Sequence, residues 1–478
     1  MILAIDQGTT GTTCLVVDDR LRTLGRGYCE IGQSFPRPGW VEHDPEEIWA
    51  SVEETAAQAL ADANATAGDL RAIGITNQRE TTVVWERASG RPVHPAIVWQ
   101  DRRTAERCAE LPLRLIRDRT GLVPDPYFSA TKLEWILSRT DCPRDELCFG
   151  TVDSWLTWKL TDGEVHVTDV TNASRTMLLD LSEGMWHEEL LGLFDVEGVA
   201  LPEVVGSSGV VAEATLHGVR VPIAGIAGDQ QAALFGQGCF ACGEAKATYG
   251  TGTFVLASLG EARGTPVDGL LTTAAAALHG DAAQYAAEGS VLVGGAALQW
   301  LRDGLGLIES AAESERLATS VESSGGVSFV PALTGLGSPQ WRPGARGLIC
   351  GLTRGTTRAH LVRAALEAMA HQVADVLDAL PLDVPVLRAD GGATANRFLM
   401  QLQADLLGCP VEVAADADAT ALGVAALAGL AVGTWSDRDE VAALIGRGTR
   451  YEPRMDPGEV ERLRGAWREA VRRAVLED

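Results

Sequence analysis

Ile2-Leu-Ala-Ile5 is apolar at four consecutive positions, and the polar run Asp6-Gln-Gly8-Thr9-Thr10 follows at once. A short apolar run bounded by turn residues predicts a buried strand ending in a turn. Thr13-Cys-Leu-Val-Val17 predicts the returning strand, and Asp18-Asp19-Arg20 turns the chain again. After Asp44-Pro45 the period changes to that of a helix, with Ile48, Val52, Thr55, Ala56, Ala59 and Leu60 on one face. An aspartate cap, a proline at the first helical position and Glu47 behind them mark its start. Ala72-Ile-Gly-Ile-Thr76 and Thr81-Thr-Val-Val-Trp85 predict strands on either side of Asn77-Gln78-Arg79-Glu80. That polar junction has two readings, a site loop and a charged surface turn.

Further along, Pro222-Ile-Ala-Gly-Ile-Ala-Gly228 predicts a strand that runs through glycine into a helix opened by Asp229-Gln230-Gln231. After a glycine-bearing connection at 236–243, the best hinge candidate, the opening device is repeated. A strand leads into Gly250-Thr251-Gly252-Thr253, and Phe254-Val-Leu-Ala257 returns. Such turns let backbone N–H groups approach a phosphate. Two strand–turn–strand units predict two similar halves facing each other, each supplying one phosphate-binding hairpin. A long helix carries Leu361, Ala365, Ala368, Met369, Gln372, Val373, Val376 and Leu380 on one face. Val386-Leu-Arg-Ala389 predicts a strand ending in Asp390-Gly391-Gly392-Ala393, followed by a helix over 396–407. The glycines there suit either the approach of a flat purine or a tight turn. A charged helix from Glu459 closes the chain.

At 478 residues the chain is too long for one core, so two or more domains are expected. A net charge of −25, with only three lysines, argues against nucleic acid or an anionic membrane as the main partner. The nine cysteines have no framework spacing, and Cys239-Phe-Ala-Cys242 stands alone. Either a weak redox or metal pair or two half-buried thiols would give it. No HxxxH pair occurs. No basic leader and no long charge-free apolar run is visible, so a cytoplasmic protein is expected.

Several nucleotide chemistries are excluded. The chain has no Gly-Lys-Ser/Thr, no GxGxxG after a strand and no His-Arg-Asp. A two-lobed nucleotide fold with two phosphate hairpins remains. In it Asp6 is placed as an outer-shell magnesium partner, the alternative being a turn-capping aspartate. Asp229 is either a helix N-cap or an acid–base group beside the nucleotide.

Longer motifs decide more. Gly74-Ile-Thr-Asn-Gln-Arg-Glu-Thr-Thr82, Ala96-Ile-Val-Trp-Gln100, Asp125-Pro-Tyr-Phe-Ser129, Val167-Thr-Asp-Val-Thr-Asn-Ala-Ser-Arg-Thr176 and Gly225-Ile-Ala-Gly-Asp-Gln-Gln-Ala-Ala233 occur in order. Tyr127-Phe-Ser-Ala-Thr-Lys-Leu-Glu-Trp135, and Gly347-Leu-Ile-Cys-Gly-Leu352 running on to His360-Leu-Val-Arg-Ala-Ala-Leu-Glu367, join them. With these the chain resembles the FGGY carbohydrate kinase family, its glycerol-phosphorylating members in particular, over nearly its whole length. The resemblance implies an α/β, two-domain fold of the actin–hexokinase–Hsp70 ATPase type, with ribonuclease H-like halves and a cleft between them. Residues 1–237 would hold the acceptor site, the first hairpin and the catalytic aspartate; residues 238–478 would hold the second hairpin and the adenosine site. Asp229 would be the general base. Arg79, Glu80, Trp99, Tyr127, Asp229, Gln230 and Phe254 would contact glycerol, and Thr9, Thr10, Gly11 and Thr251 the phosphates. Gly295, Gln299, Gly392 and Asn396 would surround the rest of the nucleotide. ATP and Mg²⁺ would be the cofactors, the latter at Asp6, and a homodimer or homotetramer the assembly.

One position departs from the pattern. Where the family continues Gly-Thr-Thr-Ser-Ser-Arg, this chain has Gly8-Thr-Thr-Gly-Thr-Thr13, so Thr13 stands in place of a phosphate-contacting arginine. Gly218-Val-Arg220 fits the Gly-x-Arg of a sugar-bisphosphate effector loop, but three residues leave that open. Two alternatives stand beside glycerol phosphorylation: another polyol or sugar kinase of the same family, and a non-metabolic actin-like ATPase. The second would need no small-polyol pocket.

Overall fold

Alternation within the first strand explains how its sheet is buried. In Ile2–Gln7, Leu3 and Ile5 join a core with Ile48, Val52 and Ala56, while Ile2 and Ala4 face the opposite side. A strand with both faces apolar must be covered twice. The computed structural model describes residues 1–475 and shows both covers. The helix Pro45–Asp62 lies on one face, capped by Asp44 as its sequence predicts.

In the first sheet the strands stand in the order Ser208–Leu216, Val219–Gly228, Ala72–Asn77, Ile2–Gln7, Gly11–Val17 and Thr23–Glu30. The second sheet runs Arg447–Tyr451, Val411–Ala414, Leu387–Asp390, Ala245–Tyr249, Thr253–Gly260, Gln284–Val291 and Leu271–Ala275. Laid side by side, the two match strand for strand over the first six. Each has a hairpin whose first strand pairs in parallel with a later strand, which pairs in parallel with the next. The expectation of two similar halves is met at the level of topology. Strand ends differ slightly from those predicted: the strand expected over 81–85 is Val83–Glu86, because Thr81 and Thr82 belong to the junction.

The second cover of the first sheet comes from far along the chain. The helix Ala419–Ala431 follows a strand of the second sheet, yet it packs on the first. Leu422, Ala425 and Leu427 lie in one core with Ile2, Ala4, Ala224 and Ala227. It also crosses the helix Asp229–Gly236 at backbone contact. A Cβ on Gly423 would lie 1.9 Å from the Ala232 carbonyl oxygen, so only glycine permits this approach. A cut of the chain near residue 237 therefore separates two sheets but not two independent cores.

All nine cysteines are free, with Cys239 buried and Cys242 exposed. Among the described residues, no helix is long and apolar enough to cross a membrane.

Candidate active site

Gly228 is the N-cap of the helix Asp229–Gly236, which makes Asp229 its first residue and not its cap. The bland reading of Asp229 as an N-cap is thereby removed. Its Oδ1 accepts from the Gln230 N–H at 2.7 Å, and its side chain stays 29% exposed. An anion at a helix N-terminus is favoured by the helix dipole. Gly228 also gives passage to Arg79: a Cβ there would come within 2.7 Å of that arginine's side-chain carbons.

The junction after Asn77 is not a surface turn, for Arg79 and Glu80 are 2% and 1% exposed. Glu80 has φ +63°, a left-handed conformation that costs a side-chain-bearing residue free energy. Its carbonyl is held there by the hydroxyls of Ser129 at 3.0 Å and Thr82 at 3.2 Å. Glu80 Oε1 accepts from Arg175 Nε at 2.7 Å. Among the described residues, no protein donor bonds its Oε2.

Arg79 is the centre of the charge arrangement. It lies 3.2 Å from Asp229 Oδ1 through Nε, and its terminal nitrogens grip Glu288 at 2.6 and 3.0 Å. Arg175 reaches the same glutamate at 3.0 Å. The two guanidinium groups hold the Glu288 carboxyl down at about 2, although its burial opposes this. Tyr127 accepts a long hydrogen bond from Arg79, at 3.3 Å, and stands edge-on to Trp99, which stands edge-on to Phe254. Three aromatic rings thus stand edge-on in a row, with Tyr127 bonded to Arg79, which lies beside Glu80 and Asp229. Beside Asp229, Lys246 Nζ donates to Gln230 Oε1, leaving the Gln230 amide N–H groups for another acceptor.

The Trp99 indole N–H donates to Thr9 Oγ1 at 2.8 Å. This bond joins the aromatic cluster to the first hairpin, where Gly8 N–H bonds the Gly11 carbonyl at 2.9 Å. The second hairpin is built alike, with Gly250 N–H on the Gly252 carbonyl at 2.9 Å. Behind it lies a cavity of about 360 Å³. Thr251, Gly295, Gln299, Gly392 and Asn396 all line it, together with Ser314 and Arg302. Asn396 also caps the following helix through Oδ1, while its Nδ2 donates to Ser314 Oγ at 3.2 Å. Residues scattered between Tyr249 and Asn396 converge on one chamber of nucleoside size.

Asp6 stands one residue before the end of the first strand, half-buried, with Thr13 directly across from it on the returning strand. Burial pushes its carboxyl up to about 8, and the nearby Asp229 and Asp418 add to the effect. A carboxylate pressed by other acids, with no side-chain cation paired to it among the described residues, is a donor suited to a hard divalent cation. The residues present fit Mg²⁺, which takes one or two carboxylates and completes its shell with phosphate oxygens and water.

Comparison with known proteins now decides the family. The N-terminal domain of the FGGY family of carbohydrate kinases matches residues 1–236, and its C-terminal domain matches residues 245–432. The chain belongs to the FGGY family of carbohydrate kinases. Glycerol kinase 2 of Thermotoga maritima is 52% identical to this FGGY chain over 489 residues, covering 99% of this chain and 98% of its own. A crystal structure of Plasmodium falciparum glycerol kinase with ADP superposes with a TM-score of 0.91 at 35% identity, covering 100% of this chain and 98% of that one. Xylulose kinase of Rhodospirillum rubrum follows at 0.84 and 25%, over 98% and 97% of the two chains.

Sequence reasoning missed three participants in this FGGY site: Arg175, Glu288 and Gln231. Arg175 lies inside one of the recognised motifs, and Gln231 beside the expected Gln230. Glu288 is a lone acid in Tyr285-Ala-Ala-Glu288-Gly-Ser-Val291. An unpaired charge inside a buried strand is the signal that could have found it.

Proposed function

We propose that this chain transfers the γ-phosphoryl group of ATP to glycerol, giving sn-glycerol 3-phosphate. The Trp99–Thr9 hydrogen bond supports the reading, because it ties the aromatic cluster beside Arg79 and Asp229 to a phosphate hairpin. Asp229 takes the proton of the attacking hydroxyl. Glu80 Oε2 and the amide of Gln230 fix the other hydroxyls, and the aromatic rings keep water from competing for the phosphoryl group. Thr9, Thr10 and Gly11 on one side and Thr251 on the other cradle the phosphates; Gly295, Gln299, Gly392 and Asn396 hold the adenosine. Asp6, through water, would hold Mg²⁺, which neutralises charge on the phosphates. Closure pivots, on this reading, after Gly236, with the 419–431 helix staying on the first sheet. Nine free thiols suit a reducing compartment, so we place the reaction in the cytoplasm.

A coupled ADP-release assay over glycerol, xylulose, ribulose and gluconate tests this. Turnover with glycerol is expected far above the sugars and the acid. A better kcat/KM for any of the other three would replace glycerol as substrate and leave the family untouched.

Thr13 offers a second test. It pairs with Asp6 across the hairpin, and directly paired residues project from the same face. An arginine there would reach both the phosphates and the Asp6 carboxylate. Thr13→Arg is expected to tighten ATP or ADP binding by about 1 kcal/mol, the scale of one charge-assisted hydrogen bond. Calorimetry showing equal or weaker binding would mean that another group already serves this position.

A further inference from the structure

Glu288 is a buried charge with no part in the reaction just described. It is 0% exposed on the strand Gln284–Val291 of the second sheet, so it cannot touch an acceptor. Its partners Arg79 and Arg175 both belong to the first half of the chain. Oε1 receives Arg79 Nη2 at 3.0 Å, Arg175 Nη2 at 3.0 Å and the Ser290 hydroxyl at 3.1 Å; Oε2 receives Arg79 Nη1 at 2.6 Å.

Arginine has five N–H donors in a rigid plane. In Arg79, four are spoken for. Nη1 serves Glu288 and Gln231 Oε1 at 3.2 Å, and Nη2 serves Glu288 and Tyr127. The fifth, Nε–H, lies 3.2 Å from Asp229 Oδ1 and 3.8 Å from Glu80 Oε1. It is the donor that lies nearest both Glu80 and Asp229. A fork held at both terminal nitrogens cannot rotate, so the direction of Nε is set by the carboxylate that grips the other end.

We propose that Glu288 is a positioning residue for the acceptor site: from the second lobe it grips both terminal nitrogens of Arg79 and so aims the Nε–H between Glu80 and Asp229. The acceptor pocket of the first lobe is then complete only when the second lobe is docked against it. A chain with its lobes apart would hold a free-turning Arg79 and bind acceptor poorly. The inference rests on the acceptor-site reading above.

The test uses full-length Glu288→Gln and Glu288→Asp proteins. For each, kcat, acceptor KM, ATP KM and melting temperature are measured, with whichever of the four acceptors the wild type turns over best. Glu288→Gln keeps the shape and loses the charge that grips the fork. Its acceptor kcat/KM is expected to fall about 100-fold, the cost of a misaimed positioning group, mostly through KM. ATP KM should stay within about twofold, since no nucleotide contact changes. Glu288→Asp keeps the charge one methylene short and should recover part of the loss. A merely structural ion pair would lower the melting temperature and leave acceptor KM alone; that result overturns the proposal, as does failure of both variants to fold. A wild type that prefers another acceptor refutes the glycerol reading, yet the comparison between variants still reads out Glu288.

Discussion

Asp229→Asn is expected to lower kcat by about 10²–10⁴-fold, the usual contribution of a general base, or roughly 3–5 kcal/mol of barrier. The amide keeps the volume and one hydrogen-bond acceptor but cannot take a proton. Nucleotide affinity should stay near wild type, because the chamber behind the second hairpin does not include residue 229. Acceptor KM should rise modestly, since the carboxylate also accepts a hydrogen bond before reaction. The fold should be little affected: Gly228, not Asp229, caps the helix, and the carboxylate is partly exposed. The measurements are kcat, acceptor KM, calorimetric ADP affinity and melting temperature on one variant. A near-normal kcat would remove Asp229 as the base and the mechanism with it.

Arg79→Met attacks the same site from the side of stability. Methionine fills much of the volume but strips one cation from a cluster that also contains Glu80, Glu288 and Asp229. Removing one partner of a buried ion pair typically costs about 3–5 kcal/mol, because the other is left uncompensated. Equilibrium denaturation should show a loss of that order, together with an acceptor kcat/KM too low to measure well. The acid limb gives an independent check. Glu288 is held at about 2, below its ordinary 4.5, so its contribution to stability is present above pH 4.5 and is lost as pH falls from there toward 2. With Arg79 gone the depression shrinks, and stability should depend less steeply on pH in that window. A loss of under about 1 kcal/mol would show that the cluster re-pairs around Arg175.

What the sequence revealed of this site follows from where each residue sits. Arg79, Glu80 and Asp229 were legible because they stand at strand ends, where a polar residue next to an apolar run has few other reasons to be there. The hairpins were legible from their glycines and threonines, and their repetition foretold the paired sheets. Glu288 was not legible as a partner, because its role exists only once a strand of the second sheet is laid beside the 78–82 junction. No local period encodes that contact. The same is true of the helix Ala419–Ala431. Its apolar residues run nearly all round, which marks a buried helix but cannot say which sheet buries it. The Asp229 cap reading failed by one residue, because Gly228 has the extended backbone of the cap position.

That crossing helix has a consequence for how the chain is made. A polypeptide leaving the ribosome from its N-terminus has all six strands of the first sheet once Gly228 has emerged. The face bearing Ile2, Ala4, Ala224 and Ala227 then waits through the synthesis of nearly the whole second sheet, up to the strand Val411–Ala414. Only when residue 431 is out can the helix that covers this face dock. For all that time the nascent chain carries an uncovered apolar sheet face, the kind of surface that chaperones bind and that drives aggregation. The half that is synthesised first is covered only once most of the second half has been made.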